Sequence, residues 1–189
     1  MTRLLMLSTL LALAPAAVAD DDFSGAWVAS LCPPGVQRES GQCANFVLEL
    51  HQQDDRLCGA HLFSTAGAER IDEGAAPSIS GEISNGVVNA IAISGRAPIR
   101  VRAEIRKSGA TLQWLRQDNP RGDYLLPPSA RLTKARKKTL FAPLFEQELK
   151  AACSSVFAMA AEAAARQKAQ QAAPDTSGRT GTPPEPPTR

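Results

Sequence analysis

From residue 23 to about residue 133, turn chemistry interrupts the chain every ten residues or so, a rhythm that leaves room for short strands and little else. The interruptions are Gln53-Asp54-Asp55-Arg56, Ser84-Asn85-Gly86, Gly95-Arg96-Ala97-Pro98, Ser108-Gly109 and Asn119-Pro120-Arg121-Gly122. Each is rich in residues that initiate turns or tolerate a left-handed backbone. Between them lie eight candidate strands, 23–31, 44–52, 57–65, 77–84, 87–94, 99–107, 110–117 and 124–132. In the first, Phe23, Gly25, Trp27, Ala29 and Leu31 share a side. In the sixth, Ile99, Val101, Ala103 and Ile105 oppose Arg100, Arg102, Glu104 and Arg106, which places the arginines toward water. The fold class is therefore mainly β, an antiparallel up-and-down barrel or sandwich of about eight strands. Eight strands suffice to close a barrel around a side-chain core or one small ligand, and closure removes the exposed edges an open sheet must protect.

Turn lengths fix which residues meet. If Asp54-Asp55 centres a tight hairpin, His51 lies opposite Cys58 on one face, and His61 lies opposite Leu48, beside Phe46 and Phe63, on the other. A two-residue loop at Ser108-Gly109 pairs Ala103 with Trp114 and Ile105 with Leu112, and brings the second tryptophan into the core. At Asn85-Gly86, loops of two and three residues give opposite facings for Val87 and Val88, so that register stays open.

The flanks read differently. Arg3, the apolar run 4–13 and the small-x-small triplet Ala17-Val18-Ala19 have the three parts of a secretory signal, so 1–19 is expected to be a leader cleaved before Asp20. The apolar run is shorter than the roughly 20 residues a spanning helix needs, and no cysteine stands at the cleavage point to take a lipid. The expected localisation is periplasmic or secreted, without stable membrane insertion. The domain itself spans 20–136. In the following segment, 137–172, the residues from 143 to about 171 are rich in Ala, Glu, Gln, Leu and Lys. Phe145, Leu149, Ala152, Cys153, Val156 and Ala160 recur there at helical spacing, which predicts one C-terminal helix packed outside the barrel by its apolar stripe. The tail 173–189, with Pro183-Pro184-Glu185-Pro186-Pro187, is too poor in apolar residues to fold and reads as disordered.

All four cysteines, Cys32, Cys43, Cys58 and Cys153, fall after the leader, and export would take them to a compartment where thiols are oxidised. Two disulfides can form in three ways. The strand pattern selects among them. Cys32 ends one strand and Cys43 begins the next, while Cys58 faces out of the barrel toward a helix that carries Cys153. The expected bonds are Cys32–Cys43 and Cys58–Cys153.

Gly25-Ala26-Trp27, near the start of the first strand, resembles the Gly-x-Trp signature of lipocalin-like (calycin) barrels, in which the tryptophan closes one end of the barrel. The resemblance implies an eight-stranded barrel followed by a helix and, as function, carriage of a small apolar ligand. Small exported β-barrel protease inhibitors begin with such a tripeptide too, so the motif speaks to architecture before function.

Candidate sites are few. The formal charge of +2 falls to about +1 once Arg3 leaves with the leader, which is no footprint for nucleic acid. No metal is expected, because no ligand pair stands at zinc-site spacing, and no cofactor motif is present. His51 and His61 cannot share a ligand if they occupy opposite faces. A Cys58–His51 nucleophile pair would need a free thiolate, which an oxidising compartment denies it. No catalytic signature is recognisable, so an enzyme is the least supported class, third in order. The arginine stripe Arg96, Arg100, Arg102 and Arg106, with Arg116 and Arg121 nearby in sequence, is either a docking face for an acidic partner or a solvated outer face interrupted by Glu104 and Gln113. Lys134, Arg136, Lys137 and Lys138 form a second basic cluster at the junction with the helix. The leading expectation is an exported, non-catalytic binding module for another macromolecule, most naturally a protein, with inhibition of an exported hydrolase as its sharper form. Carriage of a small apolar ligand inside the barrel is the alternative.

Overall fold

The alternating segments form strands β1 (Gly25–Leu31), β2 (Ala44–Gln53), β3 (Arg56–Ser64), β4 (Ile71–Glu73), β5 (Ile79–Ser84), β6 (Val87–Ile93), β7 (Arg100–Ser108), β8 (Thr111–Arg116) and β9 (Ser129–Lys134), followed by helix α1 (Pro143–Ala172). The computed structural model describes residues 22–137 and 139–172. The leader, its cleavage point, Lys138 and the tail 173–189 lie outside the described residues. Strands pair in the order β2-β1-β9-β8-β7-β6-β5-β3, all antiparallel, and β2 pairs with β3 to close the ring. The result is a closed barrel of eight strands, with β4 as an extra short strand on the last turn of β3.

Turn chemistry decides the registers. Asp54-Asp55 is a two-residue hairpin, so Leu48 faces His61 and His51 faces Cys58. Asn85 and Gly86 both take positive φ (51° and 72°), the backbone a type I′ turn requires. This two-residue turn pairs Ser84 with Val87 and sends Val88 inward. At the next hairpin the loop is Gly109-Ala110 rather than Ser108-Gly109. Ile105 then pairs with Trp114 and Lys107 with Leu112, two positions from the expected partners. A slip of two preserves facing, so Ala103, Ile105, Leu112 and Trp114 are buried all the same. The last strand begins at Ser129, not at 124, because Pro127 and Pro128 have no N–H to give a ladder.

Side chains fill the lumen. Phe23, Trp27, Phe46, Leu48, Leu50, Ile79, Val88, Ile105, Leu112, Trp114 and Leu132 are all sealed from solvent and form one cluster. The Phe46 and Trp114 rings meet edge-on at 5.3 Å, and Phe46 touches Phe63 at 6.2 Å. Both indoles find acceptors: Trp27 Nε1–H donates to Phe23 O and Trp114 Nε1–H to Pro127 O, each at 2.9 Å.

A second, smaller core lies outside. Leu149, Cys153 and Phe157, one turn apart on α1, pack with Phe145 and Val156 on Cys58 and Ala60 of β3. Phe157 extends the stripe expected from the sequence, and residues 161–171 are exposed on all sides of the helix. The disulfides are Cys32–Cys43, across the neck of the β1–β2 loop, and Cys58–Cys153, joining barrel to helix.

Two outcomes test this packing. Trp27→Ala should lower unfolding stability by about 3–5 kcal/mol, the scale of a core aromatic truncation, read from urea denaturation. Removing the Cys58–Cys153 bond, which joins residues 95 apart, by the double change to serine should cost about 4–5 kcal/mol in the chain-entropy model. The Cys32–Cys43 pair, 11 residues apart, should matter less.

Candidate functional site

Strand direction separates the barrel into unlike ends. The turns at 54–55, 85–86 and 109–110 are tight and lie at one end, with the start of β1. At the other end are all the long connections: 32–43, 65–78, 94–99 and 117–128. A single carboxylate ties three of these together. Asp72, on β4 and sealed from solvent, accepts hydrogen bonds from the Ser94 hydroxyl (2.8 Å), the Gly95 N–H (2.8 Å) and the Leu125 N–H (2.9 Å), and faces His61 Nε2 at 3.5 Å. Above it Asp123 takes Arg70 and Arg96, each at 2.6 Å, and Arg96 also donates to Ile71 O at 3.1 Å.

His61, Asp72 and Ser78 have the composition of a serine-hydrolase triad. Ser78 Oγ accepts the His61 backbone N–H at 3.1 Å and lies 2.9 Å from His61 Nδ1, while His61 Nε2 lies 3.5 Å from Asp72. Nucleophilic attack needs free space at Oγ. Here Gly74 closes that space: a Cβ on it would stand 2.1 Å from Ser78 Oγ. The three residues therefore act as a lock on the loops. His51 and His61 face opposite sides of the sheet, as expected, and Cys58 is held in a disulfide.

Arg100, Arg102 and Arg106 stand on the outer face of β7 and Arg96 lies in the 94–99 connection, and much of this set is already partnered. Arg96 belongs to Asp123. Arg102 holds Asp118 through Nε at 3.0 Å, and Arg106 pairs with Glu104. Arg100 has no carboxylate partner among the described residues. Arg116 caps the β8–β9 loop by donating to Leu126 O and Asn119 Oδ1, with Tyr124 under its guanidinium at 5.3 Å. Read along β7, the stripe is a set of surface ion pairs, each worth about 0–1 kcal/mol.

Several outer clefts collect polar side chains, among them two that gather basic groups. One, of about 360 Å³, lies between α1 and the tight-turn end. The basic cluster reaches it through Lys134, Arg136 and Lys137, with Lys134 Nζ 5.4 Å from the Trp27 ring. Its wall is the buried Glu49, which accepts the Thr139 hydroxyl at 2.6 Å, and His51, whose Nε2 is buried 4.0 Å from Glu49 without a hydrogen-bond partner. Burial lowers the His51 pKa against the pull of Glu49, with Lys150 adding to the fall. The other cleft, of about 510 Å³, lies on the outside of β7–β9 and brings Arg106 and Gln113 together with Arg131. The reading along β7 missed Arg131, which only the β8–β9 register places in that row.

Burial alone would raise the Asp72 carboxyl. Hydrogen bonds from His61, Leu125, Ser94 and Gly95 outweigh it and hold the group far below the ordinary carboxylate range. A depressed folded-state pKa gives stability that is fully present above the unfolded value of about 3.9 and drains away as pH falls below it. Asp72→Asn should therefore destabilise the protein by about 3 kcal/mol at neutral pH. It should also flatten the loss of stability between about pH 5 and pH 2 in acid-unfolding curves.

Comparison with protein-family models, with curated proteins and with solved structures found no match to this chain, so what it does has to be read from its own residues.

Proposed function

We propose that this chain is an exported, non-catalytic binding module with a lipocalin-like barrel, which holds another macromolecule, a protein, on its outer surface. The observation that carries this reading is the filled lumen: two tryptophans, Phe46, Phe63 and a shell of aliphatic side chains occupy the space an apolar ligand would need. Carriers keep a concave, largely preformed cavity of several hundred cubic ångströms. Recognition on this barrel falls instead to its outside, where loops and clefts carry the polar side chains. Two disulfides suit an oxidising compartment, and among the described residues no helix is long and apolar enough to cross a membrane.

The sharper form, inhibition of an exported hydrolase, draws on the β1–β2 loop. The Cys32–Cys43 bond closes it. Inside the loop, the Val36 N–H donates to Pro33 O, the Ser40 hydroxyl to Gln37 O at 2.7 Å and the Gln42 N–H to Ser40 Oγ at 3.2 Å. A loop ordered before docking loses less entropy when it docks.

Titration of the oxidised protein with an apolar fluorophore and with a long-chain fatty acid should show no saturable binding, while crosslinking in the exported fraction should capture a protein partner. One-to-one saturation by either apolar probe would turn the assignment to carriage.

A further inference from the structure

We infer that the outer cleft on β7–β9 is an anion site that docks an extended acidic segment of a partner protein, with Arg131 and Arg106 as its recognition residues. The inference rests on the binding-module reading and names the surface that reading leaves open.

The site is built across strands. Arg106 pairs with Gln113 and Gln113 with Arg131, so the three side chains stand in one outward row over β7, β8 and β9. Adjacent strands are about 4.8 Å apart, which places the two arginine backbones about 10 Å from each other with an amide between them. Three hydroxyl residues, Ser108, Thr111 and Ser129, complete the rim, and no carboxylate lines the cleft. Arg131 has no ion-pair partner among the described residues, whereas Arg106 is turned toward Glu104 from outside the cleft. Guanidinium groups bind carboxylates through paired N–H donors in a fixed fork. An incoming carboxylate therefore meets one unoccupied fork and a second it can share.

A protein segment fits better than another polyanion for two reasons. The formal charge of the whole chain is only +2, far from the broad positive field that polyanion binding draws on. The floor of the cleft also lies at the seam of the barrel. The β1–β9 ladder registers only Trp27↔Lys134 and Val28↔Thr133, and the cleft reaches Leu31 and Ala130 beyond it. Main-chain groups of residues 29–31 and 129–132 are thus not laddered to each other across the seam, and an unladdered edge receives an extended peptide.

The test is fluorescence anisotropy of the oxidised full chain with a labelled peptide of alternating glutamate and alanine, its glutamine counterpart and a sulfated polysaccharide. Saturable binding of the glutamate peptide is expected. It should weaken about tenfold in Arg131→Gln and further in Arg106→Gln/Arg131→Gln, and should stay unchanged in Arg121→Gln, a loop arginine outside the cleft. Raising salt from about 0.1 M to 1 M should weaken it too, because screening shortens from about 10 Å to about 3 Å. No binding, equal loss in Arg121→Gln, tighter binding of the glutamine peptide or the polysaccharide, or self-association abolished by Arg131→Gln would each overturn the assignment. Failure here with no apolar-probe binding leaves the binding-module reading standing. Saturable uptake of the apolar probe removes both.

Discussion

Closing eight strands on themselves encloses a lumen that must hold either water, a ligand or side chains, and here Phe46 meets Trp114 edge-on within the buried cluster. Two rings at that distance leave no channel between them. Around them Phe23, Trp27, Leu48, Leu50, Ile79, Val88, Ile105, Leu112 and Leu132 are apolar and sealed, and burying each large side chain is worth about 1.5–3 kcal/mol. Under the proposed binding role, a filled barrel passes recognition to its outer surface. The elements that surround it, the tied loops, the stapled helix and the polar clefts, gain their geometry from a scaffold that does not need to breathe.

The two ends of that scaffold are closed by different chemistry. At the tight-turn end the floor is Trp27, anchored by its indole to Phe23 O and covered by the Lys134 ammonium. At the long-loop end it is the Asp72 carboxylate, which draws donors from three separate segments. Long loops ordinarily open to solvent at low free-energy cost. Here opening would strip a buried charge of its hydrogen bonds, which makes the loops part of the cooperative unit. The same argument holds for α1: its single apolar stripe ends at Phe157, and the Cys58–Cys153 bond holds that short contact in register.

Local chemistry made most of the barrel legible. Alternation named eight strands, whose ends brought Cys32 to Cys43, and the Asp54-Asp55 hairpin turned Cys58 outward toward the helix that carries Cys153. Even the misplaced loop at Ser108-Gly109 kept its facing, because a two-residue slip returns each side chain to the same side. What could not be read was the long-loop end. Strand β4 shows no alternation and exists where Asp72 meets donors as far as 53 residues away, a coincidence of loops that no window of sequence contains. The start of β9 was displaced for a plainer reason. Tyr124, Leu125 and Leu126 have strand-like side chains, but Pro127 and Pro128 forbid the ladder.

That last displacement governs how the surface is understood. Within one strand, Arg100, Arg102 and Arg106 look like a stripe of free charge, yet folding gives Arg102 to Asp118 and Arg106 to Glu104. Across strands, the register that begins at Ser129 carries Arg131 to the side of Gln113 and so beside Arg106. A strand beginning at 124 offers no means to find that row. Charge along a strand is set by sequence spacing of two, whereas charge across a sheet is set by turns and prolines far from the residues concerned. Binding on the outside of a barrel depends on the second kind of neighbour, which is why the core of this protein could be read one strand at a time and its surface could not.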